Sequence, residues 1–146
     1  NIFERNWKNF YKKFEELSNE SKELTCVFGF FNFIAFDKIN SILKNKYFPK
    51  NLFVKSEILN KELIKELKNI PPLFNIRVLP FTPKVLLFLF NSKDILIVLP
   101  PLSENNDSEE GEIKFLEIRN FEIGKILDKM IQIALVESRP LEDIQE

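Results

Sequence analysis

Helix-patterned and strand-patterned segments alternate along the first half of this chain and then give way to consecutive strands, an order that restricts the fold more than any other feature. Residues 3–18 place Phe3, Trp7, Phe10, Tyr11, Phe14 and Leu17 on one side of a helix, with Lys8, Lys12, Lys13, Glu15 and Glu16 on the other. The apolar run Leu24–Phe30 reads as a buried strand, and the apolar loop after it, Phe31–Phe36, is expected to cover a core or line a pocket. Asp37 is placed to cap a short helix through Lys46, with Ile39, Ile42 and Leu43 inward, before Pro49 ends it. Leu52-Phe53-Val54 opens a second strand. Ser56 is then expected to cap a helix whose stripe is Ile58, Leu59, Leu63, Ile64 and Leu67, stopped by Pro71-Pro72.

The alternation of Phe74, Ile76 and Val78 marks a third strand, and Val85–Phe90 with Ile95–Leu99 forms a β-hairpin around Asn91-Ser92-Lys93-Asp94. Ser103–Glu112 carries five acidic residues and reads as a mobile loop before the strand Ile113–Ile118. Asn120 caps a last helix, to Ser138, whose apolar residues Phe121, Ile123, Ile126, Leu127, Met130, Ile131 and Ala134 are wide enough a stripe for core packing. The expected class is α/β, a mixed sheet with helices on both faces, in the order α-β-α-β-α-β-β-β-β-α. With 146 residues, one domain over 1–146 is expected, including the amphipathic helix at 1–20 and the acidic loop at 103–112.

Absent residue types exclude several function classes. The chain has no histidine, which removes Ser-His-Asp and Cys-His catalysis, histidine general bases and nearly every zinc or non-haem iron site. Its three glycines, Gly29, Gly111 and Gly124, are too scattered for a dinucleotide or phosphate-cradling loop. Cys26 stands alone in an apolar run and is expected to be buried and inert. The acidic loop lacks the alternating carboxylates and central glycine of a calcium loop. Neither a metal nor a cofactor is therefore expected.

Basic and acidic residues number 21 and 22 and are mixed along the chain, so no basic footprint for nucleic acid is present. The cluster Lys44, Lys46 and Lys50 with Tyr47 and Phe48 is too small to change that. No apolar run approaches the ~20 residues that span a bilayer, and residues 1–6 carry no secretory signal, which points to a cytoplasmic protein. The first residue is Asn1 rather than Met, as in a fragment or a processed chain.

A helix, two strand-helix units, a run of strands with a hairpin and a closing helix resembles one half of the phospholipase D fold. In that superfamily the hairpin's first strand carries a His-x-Lys-x4-Asp motif. The comparable stretch here, Thr82-Pro83-Lys84-Val85-Leu86-Leu87-Phe88-Leu89, keeps Lys84 but has Thr82 for the histidine and Leu89 for the aspartate. The resemblance thus implies the fold and argues against the activity. Domains with such a lost motif look like the sensor domains that follow a winged helix-turn-helix in archaeal transcription regulators of the TrmB type. The segment from Phe115 to Ile123 is similar to how those domains close.

The expected function is a non-catalytic ligand-sensing or dimerising effector domain of a transcription regulator whose DNA-binding domain is not in this chain. No catalytic residue and no enzymatic activity are expected. A small-molecule effector would bind at the C-terminal ends of the strands. Loop position makes Asn32, Phe33, Phe36, Ser56 and Lys84 the candidate ligand residues. The alternative is a protein-interaction subunit of a larger nucleic-acid-processing assembly, docking through Trp7, Phe10, Tyr11 and Phe14. Expected partners are accordingly a small molecule, a second copy or another protein, with no direct nucleic-acid contact and no membrane.

Overall fold

A computed structural model describes residues 3–4, 7–70, 74–100 and 113–143. The acidic loop expected at 103–112 lies outside the described residues. Among the described residues, eight strands form a mixed sheet: β1 (Phe3–Glu4), β2 (Leu24–Phe28), β3 (Lys50–Lys55), β4 (Phe74–Leu79), β5 (Leu86–Phe90), β6 (Asp94–Leu99), β7 (Lys114–Arg119) and β8 (Arg139–Pro140). Their order across the sheet is β1-β7-β6-β5-β2-β3-β4-β8. Four α-helices accompany them among the described residues: α1 (Trp7–Asn19), α2 (Phe33–Leu43), α3 (Lys61–Lys68) and α4 (Phe121–Glu137). The class and main element order are those expected, with a two-residue strand added at each edge.

The connections explain the layering. The pairs β2–β3 and β3–β4 are parallel and joined by α2 and α3. Right-handed crossovers put both helices on one face. From β5 onward the chain is an antiparallel meander, and β2 is the seam, parallel to β3 and antiparallel to β5. Alternate strand residues then point to opposite faces. Leu24, Cys26, Phe28, Leu52, Val54, Val78, Phe88, Phe90 and Phe115 join α1, α2 and α3 in one buried cluster. On the other face Phe53, Leu89 and Ile95 are buried as well. That face is crossed by α4.

The amphipathic N-terminal helix buries its aromatic side in the core, with Phe10 and Phe14 fully enclosed and Trp7 nearly so. Phe14 meets Phe88 edge-on at 5.1 Å between ring centroids and Phe90 at 5.3 Å. Phe10 lies 5.4 Å from Phe115 and 5.6 Å from Phe88. On the polar side Lys13 reaches Glu117 of β7 at 3.0 Å. Hydrogen bonding to Glu117 raises the Lys13 pKa above its ordinary value. The three-residue turn between β5 and β6, residues 91–93, contains Asn91 and Ser92 in the left-handed region at φ 53° and 60°. Asn91 also accepts from the Lys22 backbone N–H at 2.8 Å, which fastens the turn to the start of β2.

Four local expectations are corrected. The apolar stretch 31–36 is not a loop: Asn32 caps α2, its side chain accepting from Ala35 N, and Phe33 already lies in the first turn. Ser56 does not cap a helix; it begins a 3-10 turn, Ser56–Ile58. Leu59 is extended, and Asn60 caps α3 through Leu63 N at 2.8 Å. Lys50 belongs to β3, and its ammonium turns inward to the Lys46 carbonyl and, at 3.0 Å, the Phe48 carbonyl. Burial lowers its pKa, and it adds nothing to an exposed basic cluster. Finally, Asn120 caps α4 as expected, but the stripe is not spent on the core: Phe121, Ile123, Ile126 and Met130 are exposed.

Candidate functional site

The C-terminal ends of β2 and β3 and the segment entering β5 enclose a cavity of about 400 Å³. Gly29, Phe30, Phe31 and Phe33 form one wall, Lys55, Glu57, Ile58 and Asn60 another, and Lys84 closes the rim. Crevices of open α/β sheets form at this edge, because the helices leave the strands there.

Gly29 sets the position of Lys84. Its N–H donates to the Val85 carbonyl at 2.9 Å, and a Cβ at Gly29 would stand 1.8 Å from the Pro83 carbonyl oxygen. The two backbones therefore touch, which only a residue without a side chain permits. Val85 N–H in turn donates to the Pro83 carbonyl at 2.9 Å, a three-residue turn with Lys84 at its apex. On the opposite wall Lys55 pairs with Glu57 at 3.1 Å, and its ammonium lies 6.0 Å from the ring centre of Phe81. Phe81 is 79% exposed. The cavity thus offers two ammonium groups, a carboxylate, the amide of Asn60 and several ring faces. This arrangement can hold an anionic or phosphorylated molecule by charge while rings cover its apolar part.

Of the five residues expected to line a ligand site, Phe33 and Lys84 border this cavity. Asn32 is buried and occupied as the cap of α2, and Phe36 is buried with its ring 5.0 Å from Phe31. Ser56 is exposed between Lys55 and Glu57 and is not on the wall. Trp7, Phe10 and Phe14, expected at a protein interface, point into the core, and half-buried Tyr11 stacks on Trp7 at 5.6 Å. Gly29, Lys55, Glu57 and Asn60 went unrecognised. Gly29 directly after an apolar strand run was the available signal for Lys84's surroundings.

Thr82 and Leu89, the positions compared above with the histidine and aspartate of the His-x-Lys-x4-Asp motif, are both buried. Thr82 is 4% exposed, and its hydroxyl has no hydrogen-bond partner among the described residues. Leu89 is buried on the α4 face of the sheet, a site at which an aspartate would be a costly charge. Cys26 is buried at the centre of β2, and burial pushes its thiol pKa far above the ordinary range. We expect Cys26 to resist iodoacetamide in the folded protein by orders of magnitude relative to the urea-unfolded chain. Mass spectrometry of a labelling time course checks this, and equal rates would contradict the burial. Among the described residues no cluster of three or more Cys, Asp or Glu is arranged to hold a metal ion, and no helix is long and apolar enough to cross a membrane.

No family model and no curated protein matches this sequence. Solved structures do. Nuc from Salmonella typhimurium, a phospholipase D family member, superposes with a TM-score of 0.68 at 7% identity, over 95% of this chain and 97% of that one. The chain has a phospholipase D-like fold. Phosphatidylserine synthase from Haemophilus influenzae is similar at a TM-score of 0.62 and 11% identity, over 99% of this chain and 41% of the synthase. TrmBL2, described as an archaeal chromatin protein with a novel mode of DNA binding, matches at 0.58 and 13% identity, over 94% of this chain and 53% of its own length. The chain therefore spans about half of TrmBL2 and less than half of the synthase.

These neighbours correct the expectation that the chain is not an enzyme, because a synthase shares its fold. The lack of histidine bars histidine-based chemistry and nothing wider.

Proposed function

We propose that this chain is the cytoplasmic ligand-sensing effector domain of a DNA-binding transcription regulator, and that its effector is a small anionic, most simply phosphorylated, molecule. The observation that carries this reading is the cavity at the strand ends, which Lys84, at the apex of its turn, and Lys55 line together with Phe31 and Phe33. A site of ~300–1,000 Å³ with a few convergent polar groups suits a small ligand rather than a macromolecule. The similarity of the fold to one half of an archaeal DNA-binding chromatin protein supports placing such a domain beside a DNA-binding one.

The test is a thermal-shift and calorimetric screen of sugar phosphates, nucleotides and inorganic phosphate against the wild type and Lys84→Ala. At least one phosphorylated compound is expected to raise the melting temperature. Lys84→Ala, at an exposed position, should keep the unliganded melting temperature and weaken that compound about 10-fold to 100-fold, in the range of a lost charge-assisted hydrogen bond. No shift from any compound, or equal affinity for the variant, would refute the reading.

A further inference from the structure

Phe81 is 79% exposed, as is Tyr47, and among the large hydrophobic side chains of the described residues only Val136 is more open. A single exposed ring needs no explanation by itself, but this one stands beside a cavity. Its centre lies 6.0 Å from the Lys55 ammonium, and Lys55 lines the cavity at the strand ends together with Glu57, Asn60 and Lys84. A bare aromatic face thus adjoins a site that already holds charged groups of both signs.

The local sequence holds the ring where it is. Pro80 and Pro83 bracket Phe81 and Thr82, so two of these four residues have φ fixed by a pyrrolidine ring, and the residue before each proline is kept extended. Thr82 is turned inward and buried, which leaves Phe81, its neighbour along the chain, on the outside. The Gly29 N–H bond to the Val85 carbonyl then ties the end of the segment to β2. A ring presented by so restrained a segment loses little freedom when a flat ligand stacks on it.

Charge divides the site in two. Lys55 is paired with Glu57 at 3.1 Å, whereas Lys84 has no ion-pair partner among the described residues. A phosphate, at about −1.5 to −2 charge near pH 7, is drawn to Lys84 and repelled by Glu57. The Lys55–Glu57 pair beside Phe81 then offers one donor and one acceptor to whatever lies on the ring. A nucleobase meets both demands, having a flat π face and an edge on which N–H donors stand next to oxygen or ring-nitrogen acceptors. Phe81 and Lys84 are three residues apart, at most ~11 Å between Cα atoms, a span that one phosphate-sugar-base unit can bridge. A nucleic-acid strand fits less well, since its successive phosphates call for a row of cations, and the 21 basic residues of the chain are mixed with 22 acidic ones.

We propose that the effector is a single nucleotide, with its phosphate at Lys84 and its base stacked on Phe81, the base edge toward the Lys55–Glu57 pair. This rests on the reading of the cavity as a site for a phosphorylated molecule, and it names the class. Phe81 is then the residue that determines specificity, separating nucleotides from sugar phosphates of the same charge.

Calorimetry of the whole chain with the 5′-monophosphates of adenosine, guanosine, cytidine and uridine, beside ribose 5-phosphate, tests this. At least one nucleotide should bind the wild type about 10-fold to 100-fold tighter than ribose 5-phosphate, the range of base–aromatic stacking. Phe81→Ala, at an exposed position, should keep the unliganded melting temperature, remove that advantage and leave ribose 5-phosphate unchanged. Phe81→Trp should keep the advantage, and stacking should quench the emission of the added indole while that of buried Trp7 stays constant. Equal affinity for nucleotides and ribose 5-phosphate, or a nucleotide advantage that survives Phe81→Ala, would overturn the proposal and leave the phosphorylated-effector reading intact. Binding by none of the five would overturn it too, and the wider screen of phosphorylated compounds then decides whether that reading falls with it. An affinity that climbs with length in a series of oligothymidylates would assign the ring to nucleic acid and likewise overturn the proposal.

Discussion

Phe14→Ala is expected to lower the free energy of unfolding by about 3–5 kcal/mol, a large part of the ~5–15 kcal/mol available to a domain. Phe14 is fully enclosed, and its ring meets those of Phe10, Phe88 and Phe90 within 5.1–5.9 Å. Truncation removes the ring's transfer energy and opens a void between helix and sheet. That void cannot close easily, because Phe88 is also held by Phe10 and Phe28. The edge-on pairs add roughly 0.5–1.5 kcal/mol each beyond buried area. Urea unfolding followed by far-ultraviolet circular dichroism gives the number, and deletion of residues 1–20 should leave no folded remainder. A loss below 1 kcal/mol, or a folded remainder after deletion, would mean that α1 docks on something other than this core.

That prediction also marks where the sequence was most readable. The stripe Trp7-Phe10-Phe14-Leu17 has one period and a charged opposite side, so helix and buried face could both be read from it. The hairpin was equally legible, because Asn91 tolerates the left-handed backbone that the turn requires. Legibility failed where apolar residues surround a helix. Phe33, Ile34, Ala35 and Phe36 fill the first turn of α2 on every side, and a segment without a polar face shows no period to distinguish it from a loop or strand. Ser56 and Asn60 are both good caps four residues apart; the extended backbone at Leu59, which no residue type announces, decides between them.

In α4 the error ran the other way. Its apolar residues extend beyond the side that one helix can press on a sheet, so counting them as core overstated the burial. Sequence periodicity records that a face is apolar, not whether the covering surface belongs to the same chain. The site was half-legible for a related reason. Phe33 and Lys84 border the cavity, as their positions near strand ends suggest, but Lys55 reads as an ordinary solvated lysine until β2, β3 and β5 are laid side by side. Asn32 and Phe36 were lost from the site because helix capping and core packing already used them.

Gly29→Ala is the substitution expected to affect the site most while sparing every side chain that lines it. The added methyl would lie 1.8 Å from the Pro83 carbonyl oxygen, 2.8 Å from its carbon and 2.9 Å from Val85 N, all backbone atoms that no rotamer change can move aside. Either β2 ends early or the 82–85 segment retreats, and each route breaks the Gly29 N–H to Val85 carbonyl bond. Overpacking of this kind costs roughly 1–3 kcal/mol. The turn that holds Lys84 moves with the segment, so affinity for any phosphorylated effector should fall at least as far as in Lys84→Ala, although the lysine is still present. Calorimetry on both variants beside urea unfolding separates the causes. Lys84→Ala should lose binding with stability unchanged, and Gly29→Ala should lose both. Retained affinity in Gly29→Ala would show that Lys84 reaches its ligand without this backbone contact, and the cavity geometry would then not be what places the charge.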